Sequence, residues 1–416
     1  MKLPLNKIKT VLSKELAELE ERGSLKGAET VVTGVKESEG DKGPRYLLEG
    51  YADKEFLRMN SNSYLGIALR KEVIEAEERA AREFGTGPGA VRFISGTYKP
   101  HVELEKRLAR FHDKEAGMIF SSAYATVMGV LTPLISKETI VISDELNHNS
   151  IINAIRLARP KDKKVYSHNN MNELNSSIKE CIGNCRRVMI VTDGIFSMRG
   201  DHAPLPEIAD LAEKYFPEFE EGVLTVIDDS HGVGAVAETG RGTTELTHEN
   251  RIDVIIGTLG KAMGVNGGYI VSDAKIIEYL RETAPFYIYS NPITASEASA
   301  ALKVLEILDS DTGKKMLKYL QEMALYFREG LIALGYEVIK GEHPIVPLVV
   351  RDTGKTIELV KYLKDKGILA TGLSYPIVPR GDEEIRFQIC ADHTKYDLDY
   401  TLEVLKEYKE VKRYLM

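Results

Sequence analysis

The chain has no tryptophan and only three cysteines among its 416 residues. Cys181, Cys185 and Cys390 are an odd number, which provides no disulfide framework and is typical of a protein in a reducing compartment. Cys181 and Cys185 flank a short IGN segment, with no second pair of ligands nearby. The sequence therefore predicts neither a disulfide scaffold nor a metal site.

Long apolar runs are also missing from the sequence. No segment approaches the about 18 consecutive apolar residues that a membrane-spanning helix needs. The first residues, MKLPLNKIKTVLSKELAELEERG, form a charged amphipathic helical pattern without the apolar stretch of a signal peptide. The net charge of −8 does not favour nucleic acid or anionic membrane as the main partner. We therefore expect a cytoplasmic protein.

The composition is that of a folded globular protein, with 43% hydrophobic and 28% charged residues. A chain of this length exceeds one compact core of ordinary size. We predict an N-terminal helix and extension (1–55), a large domain (56–295) and a smaller C-terminal domain (296–416). No internal repeat or low-complexity segment interrupts this order.

The middle of the sequence alternates short apolar runs with helical patterns. The runs are GMIFSS (117–122), TIVIS (139–143), VMIVTD (188–193), VLTVID (223–228) and VIIGT (254–258). This alternation predicts an α/β fold with a mostly parallel sheet that is covered on both faces. Two long helical segments follow residue 296, and the mixture of strands and helices after them predicts a small α+β domain.

Ligands of open parallel sheets bind where the strands end. Polar residues follow each predicted strand here, and one strand is followed by a lysine, in IIGTLGKAMGVNGGYI (255–270). A phosphate-binding P-loop would require glycine and a hydroxyl residue at the positions of Ile255 and Ala262. Lys261 is therefore not a P-loop lysine, although an ordinary surface lysine remains an alternative.

The other strand ends supply the groups that pyridoxal 5′-phosphate (PLP) requires, namely an amine, an acid for the ring nitrogen and an anion site. Lys261 is the candidate amine and Asp228 the candidate acid. The N–H groups of Ala123 and Tyr124, at the start of a helix, and the Thr258 hydroxyl are candidates for holding the phosphate. His148 and His231 are candidate ring contacts. Taken singly, Asp228 could instead cap a turn, and each histidine could be structural.

These residues lie in an ordered series of motifs that resembles the α-oxoamine synthases, PLP enzymes of fold type I. The motifs are NSYLG (62–66), VRFISGT (91–97), SDELNHNSII (143–152), TDGIFSM (192–198), DDSHGVG (228–234), GRG (240–242), GTLGKAMG (257–264), YSN (289–291) and YPIVPRGDEEIRFQICADHT (375–394). Each motif is weak alone, but the ordered set is specific and spans nearly the whole chain.

The resemblance implies a role for each matching residue. Lys261 is similar to the Schiff-base lysine, Asp228 to the ring-nitrogen acid, and His231 to the histidine near the phenolic oxygen. His148 resembles the stacking histidine. The remaining implied contacts are Ser197 and Thr258 to the cofactor, Asn62 and Arg386 to the amino acid carboxylate, and Ser290 and Asn291 to the cofactor of a neighbouring subunit. The resemblance therefore also implies a homodimer with shared active sites.

Within the family, the sequence looks most similar to the glycine C-acetyltransferases of threonine degradation, which join glycine and acetyl-CoA reversibly. Two features depart from the family pattern: Ala123 and Tyr124 replace a Ser-Phe or Cys-Phe pair, and Arg199 replaces an aspartate in FSMDG. The segment GDHAPLPEI resembles 8-amino-7-oxononanoate synthase equally well. We expect the acetyltransferase activity, with alanine and pimeloyl-CoA as the alternative substrates and a non-catalytic binding protein as the remaining hypothesis.

Overall fold

The computed structural model describes residues 5–22, 25, 28–375 and 378–414, with side chains up to residue 411. The start of the predicted N-terminal domain (1–4) and two positions of the YPIVPR motif (376–377) lie outside the described residues. The strands of the described part are β1 (Val32–Lys36), β2 (Arg45–Leu48), β3 (Glu55–Arg58), β4 (Ala116–Phe120), β5 (Thr139–Asp144), β6 (Asp162–Tyr166), β7 (Arg187–Asp193), β8 (Val223–Asp228), β9 (Val254–Thr258), β10 (Gly268–Ser272), β11 (Ile345–Val349), β12 (Ile368–Leu369), β13 (Thr371–Leu373) and β14 (Glu384–Gln388).

The helices cover both faces of the largest sheet and form much of the C-terminal part. They are α1 (Leu5–Glu21), α2 (Lys71–Phe84), α3 (Lys99–Phe111), α4 (Ala123–Leu134), α5 (Asn149–Ala158), α6 (Met171–Cys181), α7 (Leu205–Tyr215), α8 (Thr243–Leu246), α9 (Ala274–Thr283), α10 (Pro285–Ile288), α11 (Ala295–Leu308), α12 (Asp311–Ala333), α13 (Thr353–Asp365) and α14 (Lys395–Tyr414). No helix within the described ranges is long and apolar enough to cross a membrane.

The largest sheet has seven strands in the order β4-β10-β9-β8-β7-β5-β6. All neighbouring pairs from β9 to β6 are parallel, and β10 alone runs antiparallel to both of its neighbours. Alternate residues of a strand point to opposite faces, so Ile140 and Ile142 of β5 join one hydrophobic core and Val141 joins the other. The predicted mostly parallel, doubly covered sheet is confirmed.

Two smaller sheets complete the fold. One is the antiparallel sheet β11-β14-β13 in the C-terminal part, and the other has the order β1-β2-β3-β12. Because β12 pairs in parallel with β3, the segment before residue 59 shares a sheet with the C-terminal part of the chain. The boundaries at residues 55 and 295 stay predictions.

Close packing around β10 brings α4 to the edge of the sheet where the other strands end. A Cβ atom at Gly268 would lie 2.6 Å from the Cα of Ala123 and 2.4 Å from the Thr126 hydroxyl, so only glycine allows this approach. The N-terminus of α4 is thereby placed beside the loop that follows β9. This is the edge at which the sequence predicts a binding site.

Candidate active site

The carboxyl ends of β7, β8 and β9 converge on one pocket. Asp193 ends β7 and lies directly opposite Asp228, which ends β8. Lys261 follows three residues after the end of β9. The residues that line the pocket are Ala123, Tyr124, His148, Ser150, Asp193, Ile195, Ser197, Asp228, Ser230, His231 and Lys261. Seven of the twelve predicted site residues therefore surround a single cavity.

Lys261 is the cation of this pocket. Its ammonium group has no hydrogen-bond or ion-pair partner among the described residues. Burial lowers the pKa of Lys261 to about 8, although Asp228 and Asp193 oppose this shift. A lysine in this state is neutral in a substantial fraction of molecules near physiological pH, as a nucleophile or base requires.

The two aspartates at the strand ends occupy different environments. One oxygen of Asp228 accepts the Ser230 N–H at 3.1 Å, so this residue does stabilise a turn, as the alternative interpretation proposed. Asp193 is buried and accepts the His148 N–H at 3.1 Å. Burial, reinforced by the charge of Asp228, raises the pKa of Asp193 well above its usual range. Asp193 therefore favours the protonated form of its carboxyl group.

His148 is held in one orientation by the start of α5. Its Nδ1 accepts the Ser150 N–H at 3.2 Å and lies 2.7 Å from the Ser150 hydroxyl. With Nδ1 as acceptor, the proton of the neutral ring is on Nε2. Burial lowers the pKa of His148, which favours this neutral form. The ring is thus a rigid, uncharged wall of the pocket.

His231 lies deeper and contacts Tyr64, a residue that the sequence did not single out. Its Nδ1 is 2.7 Å from the Tyr64 hydroxyl. Burial raises the pKa of Tyr64 and lowers that of His231 well below its usual value, so the tyrosine donates and the proton of His231 is on Nε2. Tyr64 has a φ of 39°, in the left-handed region that non-glycine residues rarely adopt. Such strain in the NSYLG motif is typical of a functional site.

The N-terminus of α4 has the features of the anion site that the sequence predicts. Ser122 caps this helix, since its hydroxyl accepts the Ala125 N–H at 3.1 Å and its carbonyl accepts the Thr126 N–H at 2.9 Å. This cap does not use the N–H groups of Ala123 and Tyr124, both of which line the pocket. Free amides and the helix dipole together favour a bound phosphate.

Of the four remaining cofactor contacts that the resemblance implies, one lines the pocket and three do not. Ser197 lines it, whereas the Thr258 hydroxyl donates to the Gly267 carbonyl at 3.3 Å and accepts the Gly260 N–H at 3.1 Å. Thr258 is thus engaged in shaping the Lys261 loop. The Ser290 hydroxyl lies 3.5 Å from that of Ser121. Asn291 follows it on an exposed segment after α10.

Asn62 and Arg386 are brought together by β14, 324 residues apart in sequence. The Arg386 guanidinium donates to the Asn62 side-chain oxygen at 3.1 Å, and the Gln388 amide donates to the same oxygen at 2.8 Å. Glu384, Arg386 and Gln388 alternate along β14 and share one face. Each has a buried polar atom without a partner: Glu384 Oε1, Arg386 Nε and Gln388 Oε1. Such a row of unsatisfied atoms indicates a place for a polar ligand.

The residues that sequence reasoning missed are Asp193, Ser150, Ser230, Tyr64, Glu384 and Gln388. All six lie inside the motifs that resemble the family; Asp193 is in TDGIFSM and Tyr64 is in NSYLG. Asp193 could have been found from its position in the chain, because it ends a strand as Asp228 does.

The residues present fit PLP. An unpartnered lysine of lowered pKa, a carboxylate at the next strand end and free helix amides lie around one cavity. The Ser230 hydroxyl in the same cavity is buried without a hydrogen-bond partner, so it is available to a ligand. Lys261 would hold the cofactor covalently, Asp228 its ring nitrogen and the start of α4 its phosphate.

Comparison with known families agrees with this geometry. The family model described as aminotransferase class I and II matches residues 54–405. The chain belongs to this family. It is therefore a PLP-dependent enzyme of fold type I, as predicted.

Curated relatives of the chain are α-oxoamine synthases, a narrower group than the family model describes. The 8-amino-7-oxononanoate synthase of Bacillus pumilus is 41% identical over 356 residues, which are 85% of this chain and 88% of the relative. The enzymes of that name from Petrotoga mobilis and Thermosipho melanesiensis are 40% and 38% identical and cover 94% and 95% of this chain, and 95% and 96% of their own lengths. These names match the alternative activity rather than the glycine C-acetyltransferase expectation.

Solved structures show the same fold. The serine palmitoyltransferase of S. paucimobilis superposes with a TM-score of 0.85, at 24% identity over 99% of both chains. The 8-amino-7-oxononanoate synthase of Francisella tularensis has a TM-score of 0.72, at 22% identity over 87% of this chain and 99% of that one. At these identities the likeness establishes the fold alone.

Proposed function

We propose that this enzyme is a decarboxylating α-oxoamine synthase that joins alanine to a pimeloyl thioester, as an 8-amino-7-oxononanoate synthase does. The observation that carries this proposal is the similarity of about 40% over most of the chain to enzymes of that name. In the reaction, a C–C bond forms between the alanine Cα and the thioester carbonyl. The C–S bond breaks to release the thiol, which takes up the proton lost from Cα. The alanine carboxylate then leaves as CO₂, and a proton replaces it on Cα.

The pocket supports the required proton movements. When bound, PLP supplies a carbonyl group that joins the substrate amine and a ring that accepts electron density from Cα. Lys261 would anchor the cofactor and, once freed by the incoming amino acid, remove the Cα proton as a neutral amine. The charge of Asp228 would hold a proton on the ring nitrogen. The Nε2–H of His231 would donate to the phenolic oxygen, and the ring of His148 would stack on the cofactor.

The remaining predicted residues would position the reactants. Arg386, oriented by Asn62, would bind the alanine carboxylate through its guanidinium group, whose Nε–H has no partner. The amides of Ala123 and Tyr124 would bind the phosphate. Ser197 would contact the cofactor from the pocket wall, and Thr258 would hold the Lys261 loop beside the phosphate.

Arg199 is the candidate partner for the distal carboxylate of the acyl chain. Its Nε donates to Asp201 at 2.8 Å, which anchors a half-exposed side chain just beyond Ser197. The charges of Arg386 and Arg199 both lower the pKa of Glu384, against the effect of burial, so Arg199 lies near the carboxylate-binding face of β14. A cation in this position favours a dicarboxylic acyl group over acetyl.

A second copy of the chain would complete the site. Phe93 and Ile94 are each 68% exposed, and Tyr289, beside Ser290 and Asn291, is 80% exposed. The two segments adjoin, because the Arg92 guanidinium lies over the Tyr287 ring at 5.5 Å. Exposed apolar patches of this kind mark protein interfaces. Ser290 and Asn291 would then reach the partner's cofactor. Phe93→Arg should give monomers in analytical ultracentrifugation and lower turnover.

A substrate panel with two readouts tests the activity. Thiol release is measured with alanine or glycine and with pimeloyl-CoA or acetyl-CoA, and CO₂ release is followed from carboxyl-labelled amino acid. We expect the fastest thiol release with alanine and pimeloyl-CoA, with one CO₂ per thiol. Faster turnover with glycine and acetyl-CoA, without CO₂, would contradict the proposal and restore the acetyltransferase hypothesis.

Heptanoyl-CoA is the matched control for the acyl chain, since it has the length of pimeloyl-CoA without the distal carboxylate. The wild-type enzyme should prefer pimeloyl-CoA, and Arg199→Ala should remove that preference while leaving heptanoyl-CoA turnover unchanged. Equal loss with both thioesters would show that Arg199 acts only on structure.

A further inference from the structure

A groove separate from the Lys261 pocket runs along one face of α12. Lys314, Lys318, Gln321, Leu325 and Arg328 recur at spacings of three and four and line it. Val236 and Leu246 lie on the opposite wall, and the Gln321 amide bridges the two walls by donating to the Ala237 carbonyl at 3.0 Å. The groove has a volume of about 650 Å³, which is in the range of small-molecule sites.

Arg328 lies at the buried end of this groove and is only 5% exposed. One terminal nitrogen donates to the carbonyls of His343 and Ile345, at 2.8 and 3.0 Å. Its Nε and its other terminal nitrogen are buried without any hydrogen-bond partner. No carboxylate of the described chain lies within ion-pair distance of it, and Glu342, which faces it, is exposed.

The other buried arginines show what this arrangement means. Within the described residues, four arginines are buried: Arg45, Arg92, Arg328 and Arg386. Arg45 pairs with Asp397 and Arg92 with Glu105. Arg386 has no ion pair, and it is the residue to which the substrate carboxylate is assigned. Burying a cation without a counter-charge costs free energy. Arg328 is the second unpaired buried arginine, so we expect it to bind an anion, as is proposed for Arg386.

The other residues of the groove indicate the charge and polarity of the ligand. Lys314 and Lys318 lie toward its open end, where Glu238 and Glu322 partly offset them at 3.7 and 3.8 Å. Leu325, Leu246 and Val236 make the middle apolar. These lysines, and Lys315 beside them, are exposed to solvent, whereas Arg328 is buried without a counter-charge. One anionic head therefore suits the groove better than a polyphosphate.

We propose that this groove binds a small organic anion, with its carboxylate or phosphate head on Arg328 and its apolar body along Leu325 and Leu246. Beyond Arg328, the ligand site connects to the active site through a short chain of hydrogen bonds. The Nε2–H of His343 donates to the His231 carbonyl at 2.8 Å, and His231 contacts Tyr64.

The test uses purified PLP-bound enzyme and two probes, hexanoate and hexyl phosphate, with 1-hexanol as the neutral control. Calorimetric titration measures binding without turnover, so its outcome is independent of the proposed synthase activity. Both anions should bind more tightly than hexanol, and the tighter of the two identifies the head group. Arg328→Met should weaken anion binding by about 10- to 100-fold, as expected for a charge-assisted hydrogen bond.

Two further variants keep the test decisive. Arg386→Met is the matched control, because it removes the other unpaired arginine and should leave binding in the groove unchanged. Leu325→Glu places a carboxylate one turn before Arg328 and should abolish anion binding while raising the unfolding temperature. This variant serves even if Arg328→Met does not fold. Equal affinity for hexanoate and hexanol, unchanged binding in Arg328→Met, or loss of binding in Arg386→Met would each overturn the proposal.

Discussion

The cluster around Glu105 and the pocket around Lys261 both bury charged side chains, but only in the first does every charged group contact one of opposite charge. Glu105 accepts two hydrogen bonds from Arg92, at 3.1 and 3.2 Å, and one from Arg281 at 2.9 Å. Lys261 in the pocket and Arg386 on β14 have no ion pair among the described residues. Both arrangements require burial of charge, so burial alone does not indicate function.

The difference lies in what completes each site. Paired charges compensate one another and contribute to stability and to the uniqueness of the fold. Unpaired charges and unsatisfied polar atoms are completed by a ligand. This distinction predicts that mutations in the cluster affect unfolding, whereas mutations in the pocket affect catalysis. The predictions below test it, from the largest expected effect to the smallest.

Lys261→Ala should produce the largest change. Turnover should fall by several orders of magnitude, beyond the ~10²–10⁴ of a lone general base, because both the covalent anchor and the base are lost. The free energy of unfolding of the apoenzyme should not decrease, since an unpaired buried cation is removed. Steady-state kinetics and urea unfolding measure these effects, with the exposed Lys275→Ala as control. Near-normal activity would refute the role of Lys261.

Glu105→Gln should have the next largest effect, on stability instead of rate. The substitution leaves Arg92 and Arg281 without a counter-charge, which should lower the free energy of unfolding by about 3–5 kcal/mol. Turnover of the folded enzyme should change little. Glu103→Gln on the same helix is the matched control, because its ion pair with Lys99 is exposed and is worth at most about 1 kcal/mol. Comparable losses in both variants would undermine the distinction.

Arg386→Met should raise the KM for the amino acid by about 10- to 100-fold, which corresponds to the loss of charge-assisted hydrogen bonds to its carboxylate. The free energy of unfolding should stay the same or increase. Arg45→Met, which leaves Asp397 buried and unpaired, should show the opposite pattern of unchanged KM and lower stability. If Arg386→Met destabilises the protein as Arg45→Met does, Arg386 is structural.

The sequence predicts the fold well where apolar runs are long, and less well at the sheet edges. The five predicted strands overlap β4, β5, β7, β8 and β9. It misses β6, an edge strand that starts with charged, exposed residues, and β10, whose apolar residues follow a glycine-rich stretch. β6 lacks the apolar run that identifies a central strand, whereas the short apolar run of β10 follows directly on glycines that indicate a loop.

The residues of the candidate site also differ in how well the sequence predicts them. Residues at strand ends, such as Asp228 and Lys261, can be found from chain position. Contacts between distant segments cannot, because nothing local in the sequence indicates that Asn62 meets Arg386 or that Tyr64 meets His231. The lack of a counter-charge for Arg328 likewise depends on its three-dimensional surroundings, since in the sequence it is an ordinary helix arginine.

Glu384→Gln should have the smallest effect, and that effect should depend on pH. Burial raises the pKa of Glu384 to about 8, while Arg386 and Arg199 oppose this shift and Asp382 supports it. Below pH 8 the carboxyl group is therefore protonated, and Arg386 keeps its full charge for the substrate. Glutamine mimics this neutral form, so the KM for alanine near pH 7 should change by less than about twofold.

Above pH 8, wild-type Glu384 ionises, competes for Arg386 and repels the substrate carboxylate, so the KM should rise with pH in the wild type and stay level in the variant. Changes in kcat from Lys261 are common to both proteins and cancel in the comparison. The measurement is the KM for alanine between about pH 6.5 and 9.5. A large rise in KM for Glu384→Gln already at pH 7 would mean that Glu384 is ionised and paired with Arg386. In that case Arg386 would have a carboxylate partner within the protein, as Arg92 has in Glu105. The absence of a partner would then no longer distinguish the substrate-binding arginine from the structural ones.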